Sequence, residues 1–102
     1  MTPRFHPEAA LEFEEAASWY GARDLQIAAR FVAEVRRRLV QAARFPHSAR
    51  RIRGAEIRFD VRAFATRGYP YVAVVALIQG ERVCVAVAHT GRLPGYWRER
   101  LR

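Results

Sequence analysis

Residues 82–100 read RVCVAVAHTGRLPGYWRER, a strand pattern that leads into a polar and aromatic cluster. Val83, Val85 and Val87 alternate with small residues, which predicts that the three valines share one face of a strand and that the other face allows close packing. The strand ends in titratable, cationic and stacking side chains: His89, Thr90, Arg92, Tyr96, Trp97, Arg98 and Arg100. We expect the chemistry of the protein in this cluster and interpret the remaining chain as its scaffold.

The size and charge of the chain limit what it can do. Its 102 residues fit one domain, residues 1–102, with a single core. The net charge of +8 is uneven, because residues 1–22 carry one arginine against four glutamates and the remainder is strongly basic. Such a field suits phosphate or an acidic protein partner. All 18 basic residues are arginine, which cannot act as a base near neutral pH, so acid–base work must fall to His, Tyr or carboxylates.

Several classes of site and location are disfavoured by the residues present. The single Cys84 allows no internal disulfide and is predicted to be buried. His6 and His47 lack ligand-like spacing to His89, and no Gly-rich phosphate loop is found, so neither metal nor cofactor is expected. There is no secretory signal, and the longest uncharged run, residues 68–80, is too short to cross a bilayer as a helix. We therefore expect a cytoplasmic protein with no membrane partner.

The periodicity along the chain predicts two helices between strands. The predicted elements are an edge strand over residues 2–6, helices over 8–20 and 24–44, strands over 57–63 and 71–78, and the valine-rich strand. Gly21 is expected to follow the first helix, Asp24 to cap the second, and Phe45-Pro46 to end it. The fold class is therefore α+β, in the order β-α-α-β-β-β, with a helical hairpin on one face of a small curved, mainly antiparallel sheet.

Charged residues at regular spacing give two further expectations. In the strand over residues 57–63, apolar residues alternate with Arg58, Asp60 and Arg62, which predicts one dry face and one wet, cationic face. In the second helix, Arg30 and Glu34 are spaced to form an ion pair.

A set of motifs occurs in a characteristic order along almost the whole chain. The motifs are residues 5–9 (FHPEA), 15–20 (EAASWY), 31–35 (FVAEV), Phe45-Pro46, 69–75 (YPYVAVV) and 87–100 (VAHTGRLPGYWRER). Together they resemble the RelE/ParE family of type II toxin–antitoxin toxins, and the ending His-x-x-Arg-x-Pro-x-Tyr-Trp is the most specific part of the resemblance.

The resemblance implies a bacterial growth-arresting toxin that a cognate antitoxin neutralises. We expect that partner to use an acidic, amphipathic segment, and a dimer or a toxin–antitoxin hetero-oligomer is compatible with the family. One branch of the family is similar to ribosome-dependent mRNA endonucleases, and another to poisons of DNA gyrase. A third possibility is a member that has lost toxicity and acts only as a binding partner.

Metal-independent RNA cleavage requires a base, an acid and cations that hold the phosphorane charge. By the resemblance, Arg58 and Arg62 fit the phosphate role, with Arg92 as a third candidate, and His89 fits the base. Tyr96 or Tyr71 could stack on a nucleobase or donate a proton. The candidate catalytic residues are Arg62, His89, Arg92 and Tyr96, and the candidate nucleic-acid or target-binding residues are Arg58, Arg62, Tyr71, Arg92 and Arg98.

Each of these residues also has a purely structural interpretation. His89 could end the strand and hydrogen-bond a carbonyl of the tail, and Arg58 and Arg62 could be solvated. For Trp97, packing of the tail onto the sheet is the favoured interpretation. Because the acid–base set is incomplete and the lysines common in the nuclease branch are absent, the residues favour a ParE-like action on gyrase over mRNA cleavage.

Overall fold

A computed structural model describes residues 2–54 and 57–102. Its elements are β1 (Arg4–Phe5), α1 (Pro7–Gly21), α2 (Leu25–Arg44), a 3-10 turn (Pro46–Ser48), β2 (Asp60–Ala65), β3 (Tyr71–Ile78), β4 (Glu81–His89) and a second 3-10 turn (Arg98–Arg100). The strands form one sheet in the order β1-β4-β3-β2, in which β1 runs parallel to β4 and the other pairs are antiparallel. The predicted α+β class and element order are confirmed.

Side-chain caps define where the helices begin. The Asp24 carboxylate accepts hydrogen bonds from the backbone N–H groups of Gln26 and Ile27, so its predicted cap of α2 is confirmed. His6 caps α1 in the same way, with Nδ1 accepting from the N–H of Glu8 at 3.1 Å. The expectation for Gly21 is wrong, since α1 includes it and Ala22 is the capping residue. Within the described residues, neither helix has an apolar stretch long enough to cross a bilayer.

Both faces of the sheet are covered. On one face the two helices pack over a cluster that includes Phe13, Phe31 and Val35. On the other face the chain after β4 returns and places Trp97 on the sheet, where the indole is only 4% exposed. The prediction that Trp97 packs the tail onto the sheet is confirmed. We call these the helix face and the tail face.

A β-bulge in β4 changes which side chains reach each face. Val74 of β3 pairs with Ala86, but the next residue, Val75, pairs with Cys84, so Val85 is an extra residue in β4. As a result Val83 and Val85 lie on the tail face, whereas Val87 lies on the helix face. The prediction that the three valines share a face is therefore wrong for Val87, because one inserted residue shifts the alternation.

The predicted wet, cationic face of the strand over residues 57–63 is also wrong. The strand begins only at Asp60, so Arg58 precedes it as an exposed residue. Arg62 lies opposite Val75 on the helix face, near the C-terminal end of α2, and its side chain is 16% exposed. The end of α2 lies over this side of β2, so Arg62 is only partly exposed.

The predicted ion pair between Arg30 and Glu34 is replaced by others. In the part of the chain that the structure describes, the Glu34 carboxylate pairs with Arg37 and Arg38 and accepts a hydrogen bond of 2.8 Å from the N–H of Arg67. Glu34 is buried, and its carboxylate is bound by two arginines of α2 and by one backbone N–H of the turn after β2. The sequence spacing alone does not reveal that turn.

Candidate functional site

A groove on the helix face collects most of the candidate residues. It has a volume of about 470 Å³ and runs between α1 and the end of β4. Its lining comprises Glu12, Glu15, Ala16, Trp19, Tyr20, Pro70, Tyr71, Val87, His89, Arg92 and Tyr96. We call it the Glu12 groove.

Three features of the fold bring these side chains together. Glu12, Glu15 and Trp19 recur at helical spacing and therefore lie along one side of α1. The bulge in β4 turns Val87 toward α1, and His89, two residues later, follows on the same face. Tyr71 begins β3 directly opposite His89, and the two rings meet edge to face at 5.2 Å.

Glu12 is the centre of the polar contacts in the groove. One carboxylate oxygen, Oε1, accepts from the N–H of Val87 at 3.0 Å, and the other, Oε2, accepts from the hydroxyl of Tyr96 at 2.6 Å. Arg100 donates to both oxygens. The Glu12 side chain is only 15% exposed, so these bonds compensate for its burial.

The contacts of Glu12 also complete the edge of β4. Within the described residues, the short strand β1 pairs with Val83 and Cys84, and no other strand lies beside the edge of β4 beyond them. Arg100 donates to the carbonyl of Val85 at 2.9 Å, and Glu12 accepts from the N–H of Val87. Two side chains therefore take the place of a strand, which satisfies backbone groups that would otherwise be costly to bury.

Arg100 is held by two carboxylates of α1. Its Nε lies 3.0 Å from Oε2 of Glu8, in addition to the two bonds to Glu12. Burial would lower the pKa of Arg100, but the hydrogen bond and charge of Glu12, with the charge of Glu8, outweigh it and raise the pKa. Arg100 is therefore a cation whose guanidinium is bound by carboxylates of the same chain.

Tyr96 is fixed from two sides. The guanidinium of Arg92 stacks over its ring at 3.8 Å, and the hydroxyl donates to Glu12. Burial, together with the hydrogen bond and negative charge of Glu12, raises the pKa of Tyr96 to about 12. The phenol therefore keeps its proton at neutral pH and directs it at a carboxylate.

His89 makes a local bond that restricts its chemistry. Its Nδ1 accepts from the N–H of Gly91 at 2.9 Å, so the bond expected to a tail carbonyl is instead a bond from a tail N–H. In the neutral ring the proton must then lie on Nε2, since Nδ1 is the acceptor. Neither nitrogen of the neutral ring is open as a proton acceptor while this turn is intact.

The structure does not bring every candidate to the groove. Arg62 forms a two-bond pair with Asp60 and also donates to the carbonyl of Ala49. The hydrogen bonding from Arg62 to the Asp60 carboxylate lowers the pKa of Asp60. Arg98 lies near Gly54, where an added Cβ would be 3.7 Å from its guanidinium. The structure thus unites Tyr71, His89, Arg92 and Tyr96 and separates them from Arg58, Arg62 and Arg98.

Sequence reasoning missed Glu12, and it did not distinguish Arg100 from the other tail arginines. A signal for Glu12 was present, because it lies three residues after Ala9 and four before Ala16, both of which are buried on α1. A carboxylate so close to the apolar stripe of a helix indicates a buried partner. Arg100 had no such signal, since it follows a turn whose path depends on packing.

Metal ligation gains no support from the described residues. Within residues 2–54 and 57–102, no three His, Cys, Asp or Glu side chains are grouped so that they could hold a metal ion. Burial raises the pKa of the Cys84 thiol to about 12, which makes it a poor ligand or nucleophile. The described side chains of the groove offer hydrogen bonds, charge and aromatic rings.

Comparison with known proteins gives one match. A family model described as ParE toxin of type II toxin–antitoxin system, parDE, matches residues 4–94. The match covers all the helices and strands named above and includes Glu12, Tyr71, His89 and Arg92, but it ends before Tyr96. No curated protein and no solved structure was found to match.

Proposed function

The chain belongs to the ParE toxin family of type II toxin–antitoxin systems, and on this premise we propose that it arrests growth by acting on DNA gyrase. The observation that supports a protein target over RNA cleavage is the state of the candidate acid–base groups. Those groups are already hydrogen-bonded within the chain.

Tyr96, His89 and Arg62, which are candidates for metal-independent RNA cleavage, each already have a hydrogen-bond partner within the chain. The hydroxyl of Tyr96 donates to Glu12, and Nδ1 of His89 accepts from the N–H of Gly91. Arg62 is bound to Asp60 on the other side of the core. A nuclease would have to break several of these bonds to assemble a base, an acid and a phosphate clamp, which favours a binding mechanism.

We assign target contact to the rim of the Glu12 groove. Arg92 has a side chain 54% exposed, and Trp19 is exposed to the same extent. Tyr71 and His89 line the same groove. Exposed aromatic and arginine side chains around a half-apolar groove are the composition of protein-binding hot spots.

Membership of the family implies an antitoxin partner. We propose that the antitoxin supplies an acidic, amphipathic segment, because the chain carries a net charge of +8 and exposes apolar side chains on its helical hairpin, among them Leu25 and Val40. The carboxylates of that segment would meet arginines, and its apolar side chains would cover the hairpin.

The two targets are separated by one induction experiment. We expect growth arrest with intact transcripts, and we expect purified protein to accumulate cleaved DNA when gyrase, plasmid and ATP are present. Arg92→Ala should weaken both effects, whereas Glu14→Gln, an exposed change on the far side of α1, should leave them unchanged. Unimpaired supercoiling at excess protein would contradict the proposal.

The alternative is a ribosome-dependent mRNA endonuclease. It is favoured by one observation, the presence of His89, Tyr71, Arg92 and Tyr96 in a single groove. It predicts codon-positioned cuts in mRNA that His89→Ala abolishes. If expression without the antitoxin causes no growth defect, the chain is instead a non-toxic binding partner.

A further inference from the structure

A second groove lies away from the first and is lined by arginines. It has a volume of about 660 Å³, and its lining comprises Arg50, Arg51, Ile52, Arg53 and Ala63. The three arginines are exposed, and Ile52 between them packs against the tail-face cluster. We call it the arginine groove.

The backbone of this groove is fixed by the sheet. Arg51 forms an isolated antiparallel bridge with Arg62 of β2, and the N–H of Ile52 donates to the carbonyl of Val61 at 2.7 Å. Because Ile52 packs against the core and hydrogen-bonds to β2, the backbone of Arg51 and Arg53 beside it has a defined position. Three cations are therefore presented from one ordered segment.

Within the described residues, none of Arg50, Arg51 and Arg53 forms an ion pair with a carboxylate. Asp60 of the adjacent strand is bound by Arg62, and the charge of Arg51 also contributes to its lowered pKa. Glu8 and Glu12 of α1 pair with the tail, and Glu12 also accepts from β4, whereas β2 is at the opposite edge of the sheet from β1. The positive field of this edge is thus not cancelled by α1.

We propose that the arginine groove binds the sugar–phosphate backbone of duplex DNA without reading its sequence. Arginine pairs with phosphate through two parallel hydrogen bonds, and a concave cationic surface concentrates the field on such a ligand. Duplex is favoured over single strands because the lining contains no aromatic side chain among the described residues, whereas single-strand sites rely on stacking. Among the described residues the lining offers no Asn or Gln for adenine, and we assign its arginines, a side chain that also contacts guanine in other proteins, to phosphate.

This inference goes beyond the proposed function, since it requires no particular target. It gives the protein a way to be held beside DNA, whichever molecule the Glu12 groove engages. DNA binding and gyrase inhibition are measured in separate assays, so either proposal can fail while the other stands.

The test is a salt titration of binding between the full chain and a fluorescent 24-base-pair duplex of arbitrary sequence, followed by anisotropy. The variant combines Arg50→Gln, Arg51→Gln and Arg53→Gln. If each arginine neutralises one phosphate, the slope of log affinity against log salt should fall by about 2.7, or about 0.9 per contact. Affinity at about 100 mM salt should fall by about tenfold or more.

A matched control removes the same charge elsewhere. Arg30→Gln, Arg36→Gln and Arg44→Gln lie on exposed positions of α2 and should leave the slope within about 0.5 of the original. The combined changes Arg50→Lys, Arg51→Lys and Arg53→Lys should retain most of the slope, because counterion release depends on charge. If the glutamine triple variant fails to fold, the single changes Arg50→Gln and Arg53→Gln are each expected to lower the slope by about 0.9.

Three results would overturn the inference. The first is an unchanged slope in the folded triple variant, and the second is an equal loss in the α2 control, which would indicate a diffuse field. The third is tighter binding of single-stranded RNA or of polyglutamate than of the duplex, which would assign the groove to RNA or to an acidic protein.

Discussion

Arg100 and Glu12, which are 88 residues apart in the chain, form a two-bond ion pair with Nη1 at 2.9 Å from Oε1 and Nη2 at 3.1 Å from Oε2. This pair fastens the tail to α1 beside the part of β4 that extends beyond its pairing with β1. The Glu12 groove depends on it, because Tyr96 and Arg92 are carried by the same tail.

Glu12→Gln should destabilise the protein by about 2–4 kcal/mol. An amide has one acceptor oxygen and cannot accept from Val87, Tyr96 and Arg100 together, and it leaves the partly buried guanidinium of Arg100 without its charge partner. Urea unfolding at pH 7 measures the effect. Glu14→Gln on the exposed side of α1 is the control and should change stability by less than about 0.5 kcal/mol. Equal stability of the two variants would contradict the central role of Glu12.

Tyr96→Phe should change how steeply the free energy of unfolding falls at alkaline pH. Burial and Glu12 raise the pKa of Tyr96 from 10.0 to about 12, so the folded state favours the protonated phenol. The stability that the protonated phenol contributes is fully present below pH 10 and is lost as the pH rises toward 12. The variant should therefore lose less stability over that interval, measured by urea midpoints. Some decline should remain, because burial also raises the pKa of Tyr20 and Tyr71.

The same variant tests the role of Tyr96 in toxicity. Phenylalanine keeps the ring beneath Arg92 and removes only the hydroxyl. If the target is a protein, growth arrest by the folded variant should stay close to that of the unchanged chain. A loss of arrest together with a loss of mRNA cleavage, at unchanged stability, would instead assign a proton-transfer role to the phenol.

Glu34→Gln should flatten the acid limb of stability. Burial would raise the pKa of Glu34, but the N–H of Arg67, the hydrogen bond from Arg37 and the charge of Arg38 together lower it below 4.5. The stability that ionised Glu34 contributes is therefore present above pH 4.5, and it is lost as the pH falls through the lower pKa that Glu34 has in the folded state.

Urea midpoints between about pH 3 and pH 7 measure this difference. At neutral pH the Glu34→Gln variant should be less stable by about 1–3 kcal/mol, because a buried N–H and two guanidinium groups lose their acceptor. An unchanged limb in Glu34→Gln would show that Asp60, whose pKa is also lowered, dominates the acid response.

Trp97→Ala should cost about 3–5 kcal/mol, as expected when a large buried side chain leaves a cavity. The indole closes the tail face over Val85, Ala86 and Ala88, so toxicity should fall with the folded fraction. Leu93→Ala is the control, since Leu93 lies in the same tail and is 77% exposed. Thermal unfolding of both proteins decides whether the tail is a structural part of the domain.

Much of the fold was predictable because local signals agree with the packed structure. The caps at Asp24 and the break at Phe45-Pro46 are properties of a few adjacent residues, and the apolar run of β3 identifies a central strand. The candidate site was predictable in part. His89, Arg92 and Tyr96 do line one groove, although their spacing in the sequence predicted no distance between them.

The sequence by itself determined the family, the order of the elements and the excess of positive charge, because these depend on residue type and periodicity. The tertiary structure alone decided the bulge at Val85 and the closure of the open edge of β4 by Glu12 and Arg100. Those features arise when backbone groups and charges from distant segments are buried together and must satisfy one another, a requirement that no local pattern encodes.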